Sequence, residues 1–163
     1  MKLSQNKTLT YDDIQLIPEY SEIESRKTIN LSTDLTTRYK LRIPLIATPM
    51  DTVCESEMAI AMTELGGVGC IHRFMPIDHQ AAEVAKVLRF AHSISCIEWG
   101  MEIPVMAAVG ANGDYIERAK ELTFAGANVI LIDVAHGHHK FVKEAIGNLK
   151  KNLPHHVDII AGN

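Results

Sequence analysis

Val129-Ile130-Leu131-Ile132-Asp133-Val134-Ala135-His136-Gly137-His138-His139 holds the pattern from which the rest of the chain can be read. Four apolar residues follow one another with no polar alternate, so the strand they predict is buried on both faces, as strands of parallel sheets are. An acid ends the run and a polar, histidine-rich stretch follows. Residues 140–151 then place Phe141, Val142, Ala145, Ile146 and Leu149 on one side, the spacing of an amphipathic helix, which Pro154 closes.

The same unit recurs along the chain. Residues 44–48, 67–71, 105–109, 129–133 and 157–161 read as five doubly buried strands. Met58, Ala61, Met62 and Leu65 make an apolar helical stripe that Gly66-Gly67 stops. A second helix is expected to open at Asp78 as N-cap and to bury Ala81, Val84, Ala85 and Leu88. A third covers about 114–124 and ends at Gly126. Strand then helix, four times over, predicts an α/β fold. A barrel and an open doubly wound sheet both bury their strands under helices, so periodicity leaves both open. Residues 90–103, with the only tryptophan, Trp99, read as a loop. Residues 8–42 read as an extended arm with short strands, able to plug one end of a barrel.

Composition bounds the function. The 163 residues are 47% apolar and 22% charged, with a formal net charge of -4 and a mean hydropathy of +0.03. This is a soluble globular composition, not basic enough to point to nucleic acid, and a small-molecule ligand is expected instead. The N-terminal Met-Lys-Leu-Ser-Gln-Asn-Lys lacks the apolar core of a signal peptide, and no run approaches the roughly 18 apolar residues of a membrane span. A cytoplasmic protein without membrane attachment is expected. Cys54, Cys70 and Cys96 are widely spaced and form no Cys-x-x-Cys pair, which predicts free thiols rather than a disulfide framework or a zinc site.

Ligands of parallel α/β proteins meet the C-terminal ends of the strands. Those ends carry Thr48-Pro49-Met50-Asp51-Thr52, His72-Arg73, Gly110-Ala111-Asn112-Gly113-Asp114, Asp133 with its histidines, and Gly162-Asn163. Asp51 reads either as a helix N-cap or as a substrate contact. His136, His138 and His139 have no carboxylate or thiolate at matching spacing, so no metal site is predicted. Asp133 directly ends an apolar run, where a carboxylate is costly unless something polar is bound. It reads either as the acceptor of a ribose diol or as a solvated loop acid. Gly66-Gly67 and Gly110-x-x-Gly113 are too short for phosphate loops. Cys54, on an early helix, and Cys70, inside a strand, have no adjacent base and read as core residues.

Several of these stretches are also similar, in order, to one family. Thr10-Tyr11-Asp12-Asp13-Ile14-Gln15-Leu16-Ile17-Pro18 and Ser25-Arg26 resemble the opening of IMP dehydrogenases and GMP reductases. Pro49-Met50-Asp51-Thr52-Val53, Glu57-Met58-Ala59, Gly66-Gly67-Val68-Gly69 and Ile71-His72-Arg73 resemble their first barrel unit. Ala107-Ala108-Val109-Gly110, Asp133-Val134-Ala135-His136-Gly137-His138 and Ile160-Ala161-Gly162-Asn163 resemble their third, fourth and fifth strand ends.

The resemblance implies a (β/α)8 TIM-type barrel, usually a homotetramer, acting on a purine nucleotide (IMP or GMP) with NAD, or NADP in a GMP reductase. A potassium ion is possible by family, with its site outside this chain. Carried over by motif, Thr48 and Met50 line the nucleotide, Asp133 holds the nicotinamide-side ribose with Val134 and Ala135 beside it, and Asn163 sits near the nicotinamide.

Two departures qualify this. The regulatory CBS repeats common in the dehydrogenases are replaced by the short 90–103 connection, a reductase trait shared by His72-Arg73-Phe74 and Asp133-Val134-Ala135. Glu55-Ser56-Glu57-Met58-Ala59-Ile60-Ala61-Met62 reads more like the dehydrogenases, and NAD-dependent oxidation of IMP to XMP is favoured over reduction of GMP. A complete eight-unit barrel also needs roughly 250 residues. The expected arrangement is an arm over 1–42 and barrel units one to five over 43–163, without the family's catalytic cysteine loop and so inactive alone. A non-catalytic half-barrel that binds or assembles is the reading from another class.

Overall fold

Residues 9–94 and 102–162 are described by a computed structural model. Contacts group the chain into two compact units, Met1–Asn30 and Leu31–Asn163. The described part of the first holds two 3-10 turns, Tyr11–Asp13 and Arg26–Thr28. The Thr10 N–H donates to the Asp13 carboxylate at 2.8 Å and closes the earlier turn.

The second unit begins with an antiparallel pair, β1 (Thr33–Asp34) and β2 (Lys40–Leu41). The strand-helix units follow: β3 (Ile46–Ala47), α1 (Ser56–Leu65), β4 (Val68–Ile71), α2 (Ile77–Ser93), β5 (Met106–Val109), α3 (Tyr115–Phe124), β6 (Val129–Ile132), α4 (Lys140–Asn152) and β7 (Asp158–Ala161). β3 to β7 form one sheet in chain order, every neighbouring pair parallel. The order never reverses, so the sheet has no switch point of the doubly wound kind.

Alternation of side chains splits the apolar runs between two cores. Ile71, Ala107, Val109, Ile130 and Ile132 pack with residues from all four helices, among them Ala59, Val84, Ala119 and Leu149. Val68, Cys70, Met106, Ala108 and Val129 face the other way and pack with Tyr39 and Leu41 of the β1–β2 pair. The pair is fastened to the last strand, where Asp158 accepts from Thr36 Oγ1 at 2.6 Å and from Arg38 Nη1 at 2.5 Å. The four helices of the described residues therefore line one face, and the short pair covers part of the other.

Some local expectations shift. The first strand is two residues rather than five. α2 starts at Ile77 because the Pro76 carbonyl accepts the Gln80 N–H at 3.0 Å; Asp78 falls in the first turn instead of capping it. α2 also runs to Ser93, so residues 90–93 of the expected loop are helical. Cys96 and Trp99 lie outside the described residues. Phe141, expected in the core, is 41% exposed.

α1 is seated on β4 through Gly69 and Ala59. A Cβ added at Gly69 would lie 2.4 Å from Ala59 Cα, 2.8 Å from Ala59 Cβ and 2.9 Å from Cys54 Sγ. Backbone cannot retreat as a flexible side chain can. α1 is also capped from outside itself. Its N-cap residue, Glu55, makes no capping bond, and the Ser56 N–H donates at 2.9 Å to Glu83 of α2. Burial pushes the Glu83 carboxyl up, but its bonds with Lys86 and with Ser56 outweigh that and hold it down at about 2.

Gly69→Ala is expected to destabilise the protein by about 1–3 kcal/mol through overpacking. Gly147→Ala, in α4 with nothing within 4 Å of the new methyl, should stabilise it by up to about 1 kcal/mol. Opposite shifts of the urea midpoint check both. Glu83 titrates lower in the fold than its ordinary 4.5, so its contribution is complete above that value and disappears as pH falls through about 2. Urea unfolding of wild type and Glu83→Gln should differ at pH 7 and converge towards pH 2.

Candidate functional site at the strand ends

The C-terminal ends of β3 to β6 bring together most of the singled-out polar residues. The Asp133 N–H donates to the Val109 carbonyl at 2.8 Å, which extends the β5–β6 ladder one residue past Ile132. The Asp133 side chain is thereby fixed at its root while 27% exposed at its tip. Arg73, after β4, approaches it with Nε 3.9 Å from Oδ2, beyond hydrogen-bond length. That Nε is buried and has no hydrogen-bond partner. The guanidinium lies over the Phe74 ring, 4.8 Å from its centroid. A pocket of about 160 Å³ opens beside Arg73, bounded by Gly110, Asn112, Val134, His136 and Phe141.

Thr48 and Met50 follow β3 on the same end of the sheet, both exposed. Met50 is the pivot of a turn whose carbonyl accepts the Val53 and Cys54 N–H groups at 3.0 and 3.1 Å. Asp51 lies within that turn, before the helix, so it is not the N-cap of α1; Glu55 holds that position. The turn is joined to β4 by the His72 N–H, which donates to the Cys54 carbonyl at 3.3 Å. The His72 ring is buried. Its Nδ1 accepts the Phe74 N–H at 3.1 Å, and its Nε2 meets Glu55 Oε1 at 3.2 Å.

The three later histidines do not act together. His139 is the N-cap of α4, its Nδ1 accepting the Phe141 N–H at 3.2 Å, and its ring lies 6.3 Å from that of His136. Among the described residues no three His, Cys, Asp or Glu side chains converge as a metal site would require. Val134 is partly buried against the helix-side core and Ala135 is exposed. Asn163 lies outside the described residues. Cys54 precedes α1 rather than sitting on it, and Cys70 is within β4. Burial pushes the Cys54 thiol up to about 11. Burial, then the charges of Cys54 and Asp133, raise Cys70 further above its ordinary value. Neither offers a thiolate near neutral pH.

Beneath the strand ends lies a polar network of which residue patterns singled out only Asp114. Gln80 is fully buried. Its amide donates to the carbonyls of Ile71 at 3.3 Å and Ala108 at 2.8 Å, and its Oε1 accepts from Arg118 Nη1 at 2.8 Å. Arg118 also donates to the Met75 carbonyl at 3.0 Å and, through Nη2, to Asp114 at 2.7 Å. Asp114, the N-cap residue of α3, and Arg118 stand four apart, a visible signal. Gln80 has none, being one polar residue among several near the start of α2.

Known proteins share this arrangement of sequence. The IMP dehydrogenase / GMP reductase domain model matches residues 8–163. The chain is 36% identical to the inosine-5'-monophosphate dehydrogenase of Cryptosporidium parvum, over 96% of this chain and 46% of that protein. It is 51% identical over 81 residues to the GMP reductase of Leishmania donovani, half of this chain and 16% of that protein. It is also 51% identical over 79 residues to the inosine-5'-monophosphate dehydrogenase of Aquifex aeolicus, 48% of this chain and 16% of that one. The chain spans about half the length of the Cryptosporidium relative that it matches almost end to end. With the family model running from the first turn through the last strand, the chain belongs to the IMP dehydrogenase / GMP reductase domain family.

Proposed function

We propose that the chain forms the opening units of a (β/α)8 barrel and carries part of a site that oxidises IMP to XMP with NAD, in a cytoplasmic homotetramer. The observation that carries this reading is the open pair at the strand ends. Asp133 is rooted in the sheet and keeps its carboxylate free of short bonds to Arg73, whose Nε is buried without an acceptor. A carboxylate so placed can accept both hydroxyls of a ribose, and the arginine can donate to a further ligand oxygen. The donor set therefore fits a dinucleotide. NAD, when bound, supplies the acceptor for hydride.

The other residues divide by strand. Thr48 and Met50, after β3, line the nucleotide, and Val134 and Ala135 flank the ribose after Asp133; Asn163 is assigned to the nicotinamide by the family resemblance alone. The barrel reading is supported by strands in chain order and by helices confined to one face. The family chemistry calls for a cysteine thiolate; among the described residues Cys54 and Cys70 are too buried to serve, and no cysteine of this sequence stands in a stretch that resembles the family's catalytic loop. This chain by itself is expected to bind without turnover.

GMP reduction with NADPH is the second reading, favoured by the 51% identity to the Leishmania donovani reductase. The equal identity to the Aquifex aeolicus dehydrogenase covers almost as many residues and removes most of that preference. The match over 96% of the chain is to a dehydrogenase, which tips the balance to IMP.

Calorimetric titration of the purified chain tests the proposal. NAD should bind, and Asp133→Ala should weaken it by about tenfold or more, the scale of lost charge-assisted hydrogen bonds. IMP with NAD should give no NADH. An unchanged NAD affinity in Asp133→Ala would sink the assignment, and a preference for GMP and NADPH would move it to the reductase.

A further inference from the structure

We propose that His72 is a positioning residue that couples the Met50 turn to the Arg73 turn, one ring nitrogen serving each. The coupling rests on the function proposed above only for what the two turns bind. A buried imidazole must satisfy both nitrogens. Because the Phe74 N–H donates to Nδ1 at 3.1 Å, Nδ1 carries no proton. The proton of the neutral ring is on Nε2, aimed at Glu55 Oε1 at 3.2 Å.

Each bond holds a different segment. On the Glu55 side, the His72 N–H and side chain together grip Cys54 and Glu55, and Cys54 in turn closes the turn on the Met50 carbonyl. Any movement of residues 54 and 55 is passed to Met50 within a single turn of chain. On the Phe74 side, the bond to Nδ1 bends the chain so that residue 73 projects between two fixed points. The Phe74 ring is stacked near the His72 ring, 6.2 Å between centroids and 26° between planes, and supports the Arg73 guanidinium. Asparagine can replace the Nδ1 acceptor and glutamine can reach as Nε2 does, but neither spans both positions. Glu55 is an N-cap residue that caps nothing, and its bond to His72 accounts for where its carboxylate goes.

Amide hydrogen exchange on the purified chain tests the coupling, with urea unfolding to report global stability. In Glu55→Leu, exchange at Val53 and Cys54 should accelerate about tenfold or more while Phe74 stays protected; Glu55→Gln, which keeps an acceptor, should restore the wild-type rates. His72→Asn should keep Phe74 protected and loosen Val53 and Cys54, and His72→Phe should loosen both. The ¹⁵N spectrum of the wild-type ring should show an unprotonated Nδ1 and a protonated Nε2. Glu55→Gln behaving like Glu55→Leu, the opposite tautomer, or acceleration that merely follows global stability would overturn the coupling. The same variants titrated with IMP and NAD should lose IMP affinity in Glu55→Leu and both affinities in His72→Phe. Wild-type chain that binds neither ligand would strike down the proposed function, and the exchange rates would still decide the role of His72.

Discussion

Burial of β4, β5 and β6 on both faces is the constraint from which the rest follows. The strand side chains that face the helices are withdrawn from water, and so are those that face Tyr39 and Leu41, apart from the partly buried Leu131. A polar side chain within these runs would be stranded between two apolar layers, at a cost of several kcal/mol for an unpaired charge. Polar residues are consequently displaced to the strand ends. The polar residues that flank these three strands gather at their ends because the runs themselves cannot hold them.

Strand ends are also where the ladder runs out of partners. Gln80 answers this for β4 and β5 by donating to the Ile71 and Ala108 carbonyls from α2, and Arg118 holds Gln80 in place from α3. Buried hydrogen bonds of this kind contribute only about 1 kcal/mol each, but leaving one group unpaired costs about 1–3 kcal/mol. Their role is to fix where the loops leave the sheet. Arg118 reaches the Met75 carbonyl as well, so the segment carrying His72, Arg73 and Phe74 is tied at its far end, with His72 tying its near end.

The layered pattern was legible in the central strands, where periodicity reports burial, but not at the margins: β3 and β7 are partly exposed, and α1 buries Ser56, Ala59 and Thr63 while Met58 and Leu65 of the expected stripe are exposed. The runs at 105–109 and 129–133 became β5 and β6, and Gly66 stops α1 in the left-handed conformation. Boundaries were less so. Pro76 outcompetes Asp78 because a carbonyl already placed ahead of the helix starts it earlier, and Asp51 loses the N-cap of α1 to a residue four positions on. The site was legible as a set of strand ends but not as pairs. Glu55 with His72, Glu83 with Ser56, and Gln80 with Arg118 are separated by 17, 27 and 38 positions. No local spacing announces such contacts, since the fold alone brings them together.

Asp133 and Arg73 show why a loose pair is more informative than a tight one. A bidentate bridge would satisfy both groups and leave nothing for a ligand to do. At 3.9 Å, with about a third of each side chain exposed, the pair contributes on the order of 0–1 kcal/mol. A ligand that hydrogen-bonds to either group would therefore displace little. The stronger anchors are all on the backbone beneath: Asp133 N–H on Val109, Phe74 N–H on His72, Met75 carbonyl on Arg118. Rigid roots with weakly engaged tips are what a site needs if binding is not to be spent on reorganising it.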